Sequence, residues 1–266
     1  MSQLLQHFGF SRHPFARSTQ KEALFRHRGF EEAGSRLRCT VELDSIALLV
    51  AEAGCGKSLL LGDLNDQLRA LGWLVHYFAH ATTGPFGLIN VLARKVGLAP
   101  RRSRAETAQA LTEALINNER KNLLVLDEAH VMPDCTLEDL RLLTIADFDR
   151  KSPFLLLLCG QPTLEERLAE SNHRALDQRI ATVARLAPLS LEETRQYIAV
   201  RLAAAGAKKM PLFEDGAVEA IFDDSAGVPR RINNSATSAL IVAASRGRRM
   251  VTAEDSHDAR VDRGRP

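Results

Sequence analysis

The stretch Ile46-Ala47-Leu48-Leu49-Val50-Ala51-Glu52-Ala53-Gly54-Cys55-Gly56-Lys57-Ser58 decides how the rest of this chain is read. Its apolar run is strand-length and ends in a glycine turn, which marks a buried strand. Leucines at helical spacing then run from Lys57 to Leu71 and stop at Gly72, so a helix opens where the glycines end. A strand, a glycine turn and a helix in that order aim backbone N–H groups and a helix N-terminus at one point, which suits a phosphate tail. Lysine then meets the outer phosphates and a hydroxyl meets Mg²⁺. Gly54, Gly56, Lys57 and Ser58 supply these parts in order, while Ala51 stands where such loops usually begin with glycine. A chance glycine turn would not require a strand before it and a helix after it.

A second apolar strand, Leu123-Leu124-Val125-Leu126, ends in Asp127-Glu128. Further strands over 73–79 and 154–159 alternate with helices over 85–96, 105–121 and 137–146, the pattern of βαβ units in a parallel sheet. At the carboxyl edge of such a sheet the two acids face the same crevice as the glycine loop. Asp127 suits the outer sphere of Mg²⁺ and Glu128 suits polarising an attacking water. Alone, the pair could be a solvated acidic turn. Beside the loop it indicates Mg²⁺-dependent nucleotide hydrolysis. After Pro188 the strands stop, and helices are expected over 190–205, 215–224, 229–245 and 253–260.

The chain therefore divides into 1–43, an aromatic docking segment (Phe8 to Phe15) and a helix, 44–188, an α/β core, and 189–266, a small helical domain and tail. Arg230, opening a helix in Gly227-Val228-Pro229-Arg230, is a candidate for the γ-phosphate. Arg179, or its neighbour Arg174, could project into an adjoining subunit's site and stabilise transition-state charge there. Gln161, in Cys159-Gly160-Gln161-Pro162, is placed to sense the γ-phosphate or orient water. For each arginine the plain alternative is a surface ion pair.

Composition limits what else is possible. The 266 residues are 45% apolar and 26% charged, with a formal charge of +2, which excludes collagen-like, disordered and disulfide-scaffold classes. Cys39, Cys55, Cys135 and Cys159 have no paired spacing, so free thiols in a reducing cytosol are expected. Neither a membrane span nor a signal-peptide core is visible, and a cytoplasmic location follows as an expectation. Zinc spacing, nuclease-like acidic triads and serine–histidine arrangements are also not seen.

Taken together, AEAGCGKS, LLVLDEAH, CGQPTL, LDQRI, GVPRRIN and the opening FGFSRHPF resemble AAA+ ATPases of the ExeA type. That group includes the transposition regulators TnsC and TniB, with MuB and IstB more distant. The resemblance spans about residues 8 to 258. It implies a P-loop core with sheet order 5-1-4-3-2 and a small C-terminal helical lid. It also implies ATP hydrolysis with Mg²⁺, the nucleotide being held by Gly54, Cys55, Gly56, Lys57, Ser58, Leu59, Asp127 and Arg230. Ser58 and Asp127 would serve the metal, and Glu128, Lys57, Gln161, Arg179 and Arg230 the chemistry.

Secretion-pathway members of that group continue into a membrane span and a cell-wall-binding domain, and this sequence stops at Pro266 with neither. The expectation is therefore a regulator of transposition: an oligomer, ring or filament, that captures duplex DNA and recruits a transposase, with a target-selection protein as a further partner. From Arg94 to Arg104 lie Arg94, Lys95, Arg101, Arg102 and Arg104 without one acid, and Thr82 and Thr83 fall on another loop off the same sheet edge. Such a stripe could contact phosphates without reading bases; otherwise it is a solvated charge run. The alternatives are an ATPase switch acting on proteins in secretion or assembly, and a helicase-loader-like ATPase.

Overall fold

Ile46–Ala51 forms β1, and all six of its residues are buried. The computed structural model describes residues 3–16, 24–42, 45–79, 85–145, 152–207, 211–262 and 264. Around β1 stand β2 (Leu74–Phe78), β3 (Asn122–Leu126), β4 (Leu155–Gly160) and β5 (Ile180–Leu186). They make one parallel sheet in the order β2-β3-β4-β1-β5, which is the expected order read from the other edge. β1, β3 and β4 are buried throughout, as parallel strands covered on both faces must be.

The register brings the carboxyl ends level. Leu49 lies beside Cys159 and Val50 beside Gly160, Leu126 beside Leu158, and Phe78 beside Leu126. The segments that leave these ends therefore meet along one edge.

By proximity of its backbone the chain forms two units: Gly29–Ala53 with Lys57–Leu186, and Met1–Arg28 with Gly54–Gly56 and Ala187–Pro266. The first holds the sheet with α2 (Arg28–Glu42), α3 (Lys57–Ala70), α4 (Pro85–Lys95), α5 (Arg104–Ile116), α6 (Asp134–Leu143), α7 (Pro162–Leu168) and α8 (Arg174–Asp177). Its core is aliphatic: Leu48, Leu124, Leu126, Leu156 and Leu158 from the strands meet Leu88, Leu111, Leu137 and Leu140 from the helices. Full burial of each such side chain is worth about 1.5–3 kcal/mol.

The second unit contains α1 (Gln3–Phe8), α9 (Leu191–Ala204), α10 (Asp215–Ser225), α11 (Pro229–Ser245) and α12 (Ala253–Asp262). Ser190 and Glu193 cap α9 reciprocally, and Pro229 opens α11 at a position where its missing N–H costs nothing. The opening aromatics Phe8, Phe10 and Phe15 are buried with Ile198, Leu202, Ile221 and Leu240. Arg201, only 3% exposed, donates from Nε to Pro14 O and from Nη2 to Ala16 O, both at 2.8 Å. Ser11 and Arg12 donate in turn to Ala205 O and Ala204 O, satisfying carbonyls that the end of α9 leaves open.

Several elements differ from the sequence expectation. α6 begins three residues earlier than expected, at Asp134, with Pro133 in extended backbone as its N-cap and an acid in the first turn. α7 and α8 are too short to show a helical period. β5 is implied by the five-stranded order but is not located in the sequence, since Ile180, Val183 and Leu186 stand at a spacing of three that does not mark a strand.

Candidate functional site

The loop from β1 to α3 departs from extended backbone at its glycines, with φ of +96° at Gly54 and +99° at Gly56. Side chains rarely adopt that region. Ala51 needs no such freedom: it is the last residue of β1, paired with Leu186, so alanine serves there. At Gly54 a Cβ would lie 2.8 Å from Arg230 Cβ and 3.1 Å from Val228 Cγ1, and the Arg230 N–H donates to Gly54 O at 3.3 Å. Arg230, the second residue of α11, is exposed. Gly227 just before it has φ +72°, and a Cβ there would overlap Leu189 O at 2.0 Å.

Lys57 is the first residue of α3 and is buried. Its Nζ donates to Glu128 Oε1 at 3.1 Å and lies 3.7 Å from Asp127 Oδ1. One ammonium thus faces two carboxylates at the carboxyl ends of β1 and β3. Cys55 is buried within the loop, while Ser58 and Leu59 are exposed on the first turn of α3.

Asp127 is 4% exposed. Its Oδ1 accepts from the Glu128 N–H at 2.9 Å and its Oδ2 from the Tyr77 hydroxyl at 2.8 Å. Burial, then that hydrogen bond and the Asp127 charge, push the Tyr77 phenol well above its ordinary value, so it stays a donor. Burial, with Asp127 nearby, likewise raises the Cys159 thiol, which leaves it a packing residue. Glu128 has φ 54° and ψ 35°, a left-handed conformation that costs a non-glycine residue about 1–3 kcal/mol. It aims the carboxylate off the end of β3 toward Lys57.

These groups fit a magnesium nucleotide. Among the described residues no cluster of three or more His, Cys, Asp and Glu could hold a metal ion. One buried carboxylate and one exposed hydroxyl match Mg²⁺, which keeps waters and shares its shell with phosphates.

The other expected residues lie as follows. Gln161 is partly exposed and precedes α7, and no side-chain cap is made there. Arg179 points its Nη2 at Thr144 O, 3.4 Å away, whereas Arg174 is exposed on α8. Lys95, in the last turn of α4, donates to Tyr77 O at 2.5 Å and stands 4.0 Å over the Phe78 ring. Arg104 opens α5 and pairs with the buried Asp139. Arg101 and Arg102 are exposed on the loop between those helices, and Thr82 and Thr83 lie outside the described residues. Tyr77 and His130, neither singled out from the sequence, are brought to the acids by pairing of β2 with β3 and by the turn after Glu128.

Comparisons with known proteins bear on the fold that carries these residues. Residues 41–168 match the family model described as an AAA domain. General secretion pathway protein A of Aeromonas hydrophila is 30% identical over 249 residues, covering 91% of this chain and 45% of that protein. The chain thus spans under half the length of this curated relative. Among solved structures, Cdc6p from Pyrobaculum aerophilum superposes with a TM-score of 0.71 at 18% identity, over 94% of this chain and 70% of that one. Drosophila ORC bound to DNA gives 0.69 at 18% identity, over 100% and 67%. The Aeropyrum pernix ORC1 protein in complex with DNA gives 0.61 at 19%, over 93% and 66%. The fold, a five-stranded parallel sheet with helices, matches that of AAA+ P-loop NTPases.

Proposed function

We propose that this chain is an ATP-driven switch that binds ATP with Mg²⁺, hydrolyses it, and uses the cycle to assemble on duplex DNA as a regulator of transposition. The observation that carries the nucleotide half is the cluster of Lys57, Asp127 and Glu128 beside the two-glycine turn. Lys57 neutralises the outer phosphates, Ser58 and Asp127 serve the metal, and Glu128 takes a proton from the attacking water. Mg²⁺, when bound, offsets phosphate charge. Gln161 orients that water, Arg230 adds a cation beside Gly54, and an arginine on the 174–179 segment completes a neighbouring copy's site.

For DNA, the support is the exposed pair Arg101 and Arg102. Two cations bind phosphate weakly, but the same loop repeated along an oligomer multiplies them through effective concentration. A transposase, with a target-selection protein, is the partner on this reading. A switch acting on protein partners in secretion is the second reading, favoured by the identity with general secretion pathway protein A across 91% of this chain.

Fluorescence anisotropy with labelled duplex DNA separates the two. The first reading expects binding that requires ATP or a slowly hydrolysed analogue, ignores sequence and weakens steeply with salt. Arg101→Ala with Arg102→Ala should then lower affinity evenly across sequences and leave nucleotide affinity intact. If low salt and ATP yield no DNA binding, the protein-directed switch stands.

A further inference from the structure

The turn after the two acids holds a group that nucleotide binding leaves unused. His130 lies in the 3₁₀ turn Ala129–Val131, and its side chain is only 12% exposed. Its Nδ1 is buried and makes no hydrogen bond, although buried polar atoms are nearly always satisfied. The nearest acidic acceptor is Glu128 Oε2, 3.6 Å away, just beyond hydrogen-bond reach. The other oxygen of that carboxylate, Oε1, is held by Lys57.

Here Lys57 has a choice of partner. Phosphate oxygens bound at the loop before Lys57 would draw its ammonium away from Glu128 and free the carboxylate. An imidazole whose Nδ1 has no other partner then stands within a small side-chain rotation of it, and the tautomer protonated on Nδ1 supplies the donor. We propose that His130 is a positioning residue for Glu128, taking the carboxylate by Nδ1–H when Lys57 turns to phosphate and fixing the free oxygen toward water. The proposal rests on Glu128 being the group that acts on water.

The backbone is fixed for this role. Glu128 stays in its left-handed conformation because Val131 N–H returns to Glu128 O at 3.1 Å and Met132 N–H to Ala129 O at 3.2 Å, with Ala129 fully buried. His130 O accepts from Arg167 Nη1 at 2.7 Å. Arg167 is held by Asp134, which also accepts from His173 Nε2 at 2.9 Å. On the other side Gly160 lets β4 come close: a Cβ there would lie 3.3 Å from His130 N. A ring carried on backbone held this firmly, with an unpartnered nitrogen 3.6 Å from a carboxylate oxygen, is preorganised for it.

The test is steady-state ATP hydrolysis, with nucleotide affinity and thermal midpoint measured on the same samples. His130→Ala should lower kcat at least ten-fold at unchanged nucleotide affinity. His130→Asn, whose amide N–H can stand near the Nδ1 position, should recover most of the rate, and His130→Gln, whose donor sits further out, should not. In a Glu128→Gln background, adding His130→Ala should change kcat less than two-fold, since the pair acts as a unit. A merely structural histidine would cost the same factor in both backgrounds and would not be rescued by Asn; either result overturns the proposal. So does a His130→Ala rate within two-fold of wild type while Glu128→Gln is slow. If Glu128→Gln itself turns over normally, the premise is wrong and the proposal falls with it.

Discussion

At the scale of single residues, the proposed function assigns binding to Lys57 and chemistry to Glu128. Lys57→Ala removes the fixed counter-charge for the outer phosphates, and calorimetry should find tight ATP binding lost in a folded protein. Glu128→Gln keeps shape and loses the base, so it should bind ATP normally and hydrolyse it at least thirty-fold more slowly, about 2 kcal/mol of barrier. That these residues meet was legible, because the order along the chain places them: glycine, lysine and hydroxyl after one strand, acids after another. Tyr77 and His130 were not. Tyr77 reaches Asp127 only because β2 pairs with β3, and the orphaned nitrogen of His130 is a property of its surroundings. Ala51 looked like a departure from the loop's pattern, yet it ends a strand and needs no glycine.

Elements were legible where period or caps announced them. The buried strands read as apolar runs, and Ser190 with Glu193 wrote the start of α9 into the sequence. β5 was not, because an edge strand that is half exposed lacks both run and alternation. The turn between α11 and α12 is held by one carboxylate. Asp255 accepts from Arg246 Nη1 at 2.8 Å, from Arg248 Nη1 at 2.9 Å and from Thr252 N–H at 3.1 Å. Burial opposes its ionisation, but the hydrogen bonds from Thr252 and Arg246 outweigh it, so its pKa lies below the ordinary value. A depressed folded pKa means stability that is present above the ordinary carboxylate range and lost as pH falls through the folded value. Urea midpoints at pH 7 and pH 3 should therefore differ less in Asp255→Asn than in wild type. An equal difference in the two proteins would assign acid sensitivity to other groups.

At the scale of the whole molecule, the sheet order was legible through resemblance, whereas what the switch acts on was not. A formal charge of +2 favours no partner, and of the five cations in the basic stripe, Lys95 and Arg104 have partners within the chain. Assembly is testable through the arginines after β4. Arg179→Ala and Arg174→Ala should each retain nucleotide binding, and the one that serves a neighbour should lose hydrolysis. Mixed with Lys57→Ala, that variant should regain activity at interfaces where Lys57→Ala supplies the arginine and the other copy supplies the intact loop. Mixed oligomers with no recovery would place the arginine in its own subunit's site.

Arg201 grips Pro14 and Ala16 across 187 and 185 positions of chain, and this sets an order of events during synthesis. The ribosome makes roughly 5–20 residues per second, so the opening segment waits roughly 10–40 s before α9 emerges to receive it. Through that interval Phe8, Phe10 and Phe15 have no partners in the C-terminal helices, because those helices do not yet exist. The nascent chain thus carries a sticky aromatic segment while the sheet is being made. Chaperone demand should fall on this window, and a ribosome stalled before Arg201 would leave a product prone to aggregate through Phe8, Phe10 and Phe15.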